Sequence, residues 1–407
     1  MASTGRSVGV AAGTVVMLGA ASVFAQDWPQ WRGPNRDGKV AGFTVPQTWL
    51  KTLTQKWKTT VGLGDATPAL AGDKLYVFAR QSGDEVAMCL DASRGKELWR
   101  DEYATPAPGG SSGSHPGPRG SPAVAEGRIV TLGVNGVLSC LHTANGKVAW
   151  RNHQIKDVPE WFTGMSPMIV DGVAIAHLGG TGKGAVISFD LATGREKWKW
   201  SGDPPTYSSP VLMTVEGMKQ VVVQGEANIQ GLALADGKLL WQIALPAKGK
   251  SLSTATPIID GQTLIYSWWN SGIRAVKIEK QGDGFAVKEL WTNGRLGMGM
   301  ATPVLNSGLL YGLSERRKFY CLSVRTGDEA WSHAAGRDQF GAIVDVGPVL
   351  LALLCNSELI VFRPSDSRYE ELARIKVAKS PTYAHHVVAG KRIFVKDEDA
   401  VTLWMFE

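Results

Sequence analysis

At 407 residues with 44% hydrophobic side chains, the chain is long enough for two or three ordinary domains and too apolar for a disordered tail. Its formal net charge of +6 is modest for that length and does not argue for a nucleic-acid partner. Four cysteines, none adjacent to another and none in a Cys-x-x-Cys-His setting, exclude a c-type haem attachment site.

Residues 1–25 read as an export signal. Arg6 is their only charge, an apolar run extends from Val8 to Ala21, and Val23-Phe24-Ala25 offers small residues for cleavage. The run is short for a membrane span, so no span is expected in the mature chain, which is placed in the periplasm or outside the cell. Residues 26–50 form a strap before the first repeat. Its stretch Trp28-Pro29-Gln30-Trp31-Arg32-Gly33-Pro34-Asn35-Arg36-Asp37-Gly38 carries Gly-Pro and Asp-Gly turn signals, and its tryptophans are expected to pack against the repeats.

From residue 51 one pattern recurs. A Ser-Pro or Thr-Pro step opens an apolar strand, tight turns come next, and a tryptophan closes the unit. Ala66-Thr67-Pro68 leads to Trp99, Gly120-Ser121-Pro122 to Trp150, and Ser166-Pro167 to Trp198. Ser209-Pro210 leads to Trp241, Thr256-Pro257 to Trp291, and Thr302-Pro303 to Trp331. The tryptophans lie 40 to 51 residues apart, the period of a four-stranded propeller blade. Gly347-Pro348 and Arg374 bracket a further unit with Ala373 in the tryptophan's place, and Lys379-Ser380-Pro381 opens a last unit one strand short. The missing strand lies upstream, around Trp57. The prediction is therefore an all-β, eight-bladed β-propeller of four-stranded antiparallel blades over residues 51–407. The N-terminal strand closes the last blade and removes the open sheet edge.

The segment Phe189-Asp190-Leu191-Ala192-Thr193-Gly194-Arg195-Glu196-Lys197-Trp198 closely resembles the repeat of the pyrroloquinoline-quinone (PQQ)-type propeller family. The resemblance covers about residues 51–407 and implies fold more than function, because that family holds quinoprotein dehydrogenases and non-enzymatic scaffolds such as the BamB-like members. It implies that Trp57, Trp99, Trp150, Trp198, Trp241, Trp291 and Trp331 dock between neighbouring blades. No cysteine lies near the signal's cut, so the lipid anchor of BamB-type lipoproteins is not expected. Cys89, Cys140 and Cys321 each lie ten residues before a blade tryptophan, in equivalent positions of different blades, and are expected to be buried and unpaired.

Joints between blades, and turns between second and third strands, gather on one end of a propeller, around the mouth of its channel. There the sequence places Arg119, Trp161, Tyr207 and Phe340 from joints, and Glu226, Asn228, Trp268, Trp269, Arg316 and Arg317 from turns. Aromatic and arginine side chains on one rim have the composition of a recognition surface; each is also compatible with an ordinary turn. The joint 104–120, rich in Gly, Ser and Pro, is expected to form no packed element, whether it serves as a flap or a plain linker.

Catalytic signatures are sparse. There is no Gly-x-Ser-x-Gly elbow and no phosphate loop. His385-His386 reads as strand neighbours facing opposite ways, a poor metal pair. A quinoprotein oxidoreductase would need PQQ with calcium and a carboxylate base; Glu226 with Asn228 is the one cluster that imitates this. The leading expectation is a monomeric, non-catalytic propeller without metal or cofactor. It binds a protein or small ligand on the mouth face.

Overall fold

In the computed structural model the Ser/Thr-Pro steps at Thr67, Ser121, Ser166, Ser209, Thr256 and Thr302 each open a short inner strand, with three longer strands outward of it in antiparallel register. Contrary to the sequence reading, the last blade opens at Val387 and not at Ser380-Pro381, and Gly347-Pro348 lies in the first turn of blade 7. The structure describes Met1 and residues 27–40, 42–43, 53–246, 254–336 and 340–406. The segment read as an export signal, apart from Met1, and part of the strap lie outside the described residues. The strands form eight four-stranded sheets. Seven are continuous: blades 1 to 7 span residues 69–104, 123–152, 168–202, 211–244, 258–293, 304–334 and 341–376. The eighth is composite. Val387–Ala389, Arg392–Lys396 and Ala400–Met405 supply its inner three strands, and Thr54–Thr60 is the outer one. The pairing runs from Thr54 opposite Met405 to Thr60 opposite Ala400. The ring closes as the repeat count predicts.

The repeat signature has a physical reading in blade 3. Asp190 Oδ1 accepts from the Thr193 backbone N–H (2.9 Å) and hydroxyl (2.7 Å), which folds the turn before Gly194. Gly194 has φ +71°, and a Cβ there would stand 2.6 Å from the Trp150 ring of the preceding blade. Trp150 also donates its indole N–H to the Leu191 carbonyl at 2.9 Å. The arrangement repeats. Trp57, Trp99, Trp198 and Trp291 donate to the carbonyls of Ala92, Thr143, Leu234 and Val324 in the next blade. Each of these acceptors lies three residues before a glycine on which the ring rests. Trp331 uses the Ser365 carbonyl. Trp241 is the exception. Blade 5 has no Thr-Gly turn, and its strands Ile273–Gln281 and Gly284–Asn293 form a long hairpin instead. Trp241 therefore donates within its own blade, to Gln220 Oε1 at 2.6 Å.

Cys89, Cys140 and Cys321 are buried, and none of the four cysteines forms a disulfide. Among the described residues there is no helix long and apolar enough to cross a membrane.

The Ser/Thr-Pro steps do more than start strands. Each hydroxyl accepts a backbone N–H from the preceding joint. His385 N–H donates to Thr67 Oγ1, Thr67 N–H to Ser121 Oγ, and Ser121 N–H to Ser166 Oγ. Ser166 N–H donates to Ser209 Oγ, Ser209 N–H to Thr256 Oγ1, and Thr256 N–H to Thr302 Oγ1. Six such bonds, all between 2.9 and 3.0 Å, stitch the inner ends of the blades into a belt.

The strap fills the channel below this belt. Trp28 pairs with Leu70 of blade 1 and is buried at 1% exposure. The chain turns over residues 31–36, and Val40 then donates to the Asp345 carbonyl of blade 7. Two buried guanidiniums hold the turn. Arg36 donates to the carbonyls of Ser166 and Pro167, both at 2.9 Å, and Arg32 to those of Thr302 (2.8 Å) and Pro303 (2.6 Å). Burial lowers Arg36 to about 9 and Arg32 to about 10, the nearby Asp37 partly offsetting the latter.

Candidate functional site

Above the strap's turn, the mouth of the channel holds a cavity of about 370 Å³. Trp31 belongs to its lining, edge-on to His385 at 5.6 Å between ring centres. Trp161, Tyr207, Phe340 and Tyr383 line it from four different joints. Thr67, Ser121, Ser166, Ser209 and Thr302 of the belt also line it, all of them buried.

The joint 104–120 forms one wall, which corrects the expectation that it holds no packed element. Residues Gly110–Ser114 make a short 3-10 helix, with Ser112 buried. Arg80 supplies the order that composition alone does not. It donates to the carbonyls of Thr105, Pro106 and Pro116. Asn135 adds bonds to Thr105 and Pro106, and the Pro118 carbonyl accepts from Asp65 and Ala66. His115 Nδ1 lies 2.7 Å from Asp65 Oδ2. That hydrogen bond to the carboxylate raises the histidine's pKa, against the opposing effect of burial.

Four of the ten rim residues singled out in the sequence meet here: Arg119, Trp161, Tyr207 and Phe340. Arg119 ties Trp161 and Tyr207 together. Its guanidinium donates to the Trp161 carbonyl (2.5 Å), the Tyr207 hydroxyl (2.6 Å) and the His115 carbonyl (3.1 Å). Phe340 meets Tyr383 edge-on at 5.8 Å. The other six lie elsewhere. Asn228 and Glu226 sit on the blade 4 turn; Asp203 Oδ2 accepts the Asn228 N–H at 2.6 Å, and Asn228 Oδ1 accepts from Gln242. Trp268 is a core residue, 5% exposed, stacked on Tyr266 and under Arg274, because its turn folds it inward between blades. Trp269 is 36% exposed beside it. Arg316 and Arg317 are exposed on a turn whose Arg317 N–H bonds the Ser314 carbonyl at 2.9 Å.

His385 and His386 lie in a joint, just ahead of the inner strand Val387–Ala389, and not within a strand as the sequence suggested. His385 lines the cavity; burial, then the charge of Arg32, pushes it well below the usual histidine range. Sequence reasoning missed Trp31, Asp65, His115 and the hydroxyl belt as cavity residues. The recurring hydroxyl before proline was the one available signal. Among the described residues, no three His, Cys, Asp or Glu side chains gather as a metal site. Asp65 is the one carboxylate among the described cavity residues, and Glu226 and Asn228 lie outside the cavity. This donor set does not fit a calcium-held quinone.

A closed ring of eight four-stranded blades, with a plugged channel and an aromatic mouth, defines a PQQ-like repeat propeller. A family model described as "Outer membrane protein assembly factor BamB" matches residues 83–333, and the chain belongs to that family. Two relatives carry the same name. The protein of Yersinia pestis is 23% identical over 308 residues, 73% of this chain and 65% of its own length. That of Xanthomonas campestris pv. campestris is 27% identical over 281 residues, 56% of this chain and 66% of its own length. The match thus spans just under two thirds of the relatives' length. Among solved structures, BamB from Moraxella catarrhalis superposes with a TM-score of 0.66 at 14% identity, covering 87% of this chain and 98% of that one. Quinohemoprotein alcohol dehydrogenase from Comamonas testosteroni gives 0.65 at 16% identity, covering 93% of this chain and 80% of that one. At such identities these structures speak to the fold alone.

Proposed function

We propose that the chain is an exported, non-catalytic scaffold that works as a monomer in the periplasm. It docks a protein partner on its mouth face, in the outer-membrane protein assembly named for its relatives. The observation that carries this reading is the mouth itself. It presents five aromatic rings from the strap and four joints, and the strap closes the channel beneath them. Aromatic anchors in a rigid concave frame are what a docking surface uses. A quinoprotein oxidoreductase would need a metal-held cofactor at this mouth, and the carboxamide and carboxylate of Asn228 and Glu226 stand outside it. The exposed Arg316, Arg317 and Lys318 add a cationic rim on blade 6, suited to carboxylates of the partner.

The test is a double reversal, Arg316→Glu with Arg317→Glu, in the mature protein. The variant is expected to melt like the parent and to lose the assembly partner that the parent retains. Unchanged partner recovery contradicts the rim's part in docking.

A further inference from the structure

The cavity carries more polar chemistry than an aromatic docking surface requires. The hydroxyls of Thr67, Ser121, Ser166, Ser209 and Thr302 each accept a backbone N–H. Each still has its own proton to donate. Among the described residues none of the five donates that proton to a protein acceptor. All five are nine-tenths buried or more and line one cavity. They are convergent donors without acceptors.

Acceptors stand nearby. Asp65 gives one oxygen to His115 at 2.7 Å, and among the described residues its other oxygen has no partner. His385 Nδ1 is buried and likewise unpartnered among the described residues. Around these groups stand Trp31, Trp161, Tyr207, Phe340 and Tyr383.

The occupant must therefore do three things at once. It must accept from hydroxyls spread along an arc, donate to Asp65, and press apolar faces on aromatic rings. A wholly apolar group would strand the buried hydroxyl protons. A simple anion would meet the Asp65 charge and leave the second oxygen of that carboxylate without a donor. A sugar ring answers all three, since its hydroxyls both donate and accept and its C–H faces pack on aromatic side chains. We infer that the mouth cavity is a saccharide-binding site. Its volume of about 370 Å³ suits a mono- or disaccharide. This goes beyond the scaffold reading and does not depend on it, because the rim arginines of that reading lie outside the cavity.

The experiment is a titration of the mature full-length protein, monitored by calorimetry and tryptophan emission. The probes are D-glucose, N-acetylglucosamine, their β-linked dimers, glucuronate, and sodium acetate as a bare oxyanion. At least one sugar is expected to bind and to perturb tryptophan emission, and acetate is not. Asp65→Asn and Trp161→Ala are each expected to weaken that sugar at least tenfold. Circular dichroism melts identify any variant that loses the fold; Lys197→Ala, exposed on the outer strand of blade 3 and outside the cavity, serves as a folded control and retains binding. Absence of binding by every sugar overturns the inference, as does acetate binding without sugar binding. A sugar that binds both folded variants as it binds the parent also overturns it. The rim reversal is silent here, so failure of one reading leaves the other intact.

Discussion

The Arg32 guanidinium donates to the Thr302 carbonyl at 2.8 Å across 270 residues of sequence. The turn of the strap is therefore bonded to the ring from within the channel. Removing that side chain strands the carbonyls of Thr302 and Pro303 and opens a void beside Gly38, which packs against both Arg32 and Val304. Arg32→Ala is expected to cost about 2–4 kcal/mol in denaturant unfolding. An unchanged midpoint contradicts the plug.

The blade tryptophans give a second measurement. Trp198 is buried against blade 4 and donates to Leu234, whereas Lys197 beside it is exposed. Trp198→Ala should cost roughly 3–5 kcal/mol and Lys197→Ala less than about 0.5 kcal/mol. Equal shifts contradict the docking geometry. Blade 7 has Ala373 at the matching position, opposite Val361. Amides of Glu371–Lys376 should accordingly exchange before those of Glu196–Gly202.

Closure of the ring rests on Thr54–Thr60. That strand covers the edge of Ala400–Met405 along its whole length. A chain lacking residues 26–60 exposes that edge and loses the strap. It is expected to aggregate or to lose cooperative melting. A truncated chain that melts like the parent contradicts the composite blade.

His386 is fully buried, and among the described residues neither ring nitrogen has a partner. Burial lowers its pKa to about 3. Unfolding restores an ordinary value of about 6.5, so the folded state favours the neutral ring. The resulting stability is fully present above that value and is lost as pH falls toward the folded pKa. Within that window the loss is about 1.4 kcal/mol per pH unit. His386→Phe should flatten the acid limb of a stability profile by that slope. An identical profile contradicts the assignment.

Fold and site differ in how far they could be read from sequence. The Ser/Thr-Pro steps, the Thr-Gly turns and the tryptophans are local signals repeated at a fixed period, and a stacked ring is what such a period can build. Closure by Trp57's strand came from counting. The cavity was harder. Arg119, Trp161, Tyr207 and Phe340 could be placed on the mouth because joints gather there. Asp65 and His115 meet from 50 residues apart, and the strap arginines find their carbonyls 130 to 271 residues away. Such pairings are set by ring geometry and leave no local mark. Trp268 shows the converse: a turn's position does not say which of two adjacent tryptophans folds inward.

The central claim is that partners dock on the mouth face, and site-specific photocrosslinking tests it most directly. A benzophenone side chain replaces Tyr383 at the mouth, 40% exposed, or Met218 on the opposite end of blade 4, also 40% exposed. After irradiation in periplasm, a discrete adduct from position 383 and none from position 218 is the expected result. Adducts from position 218 alone, or equally from both, contradict the account.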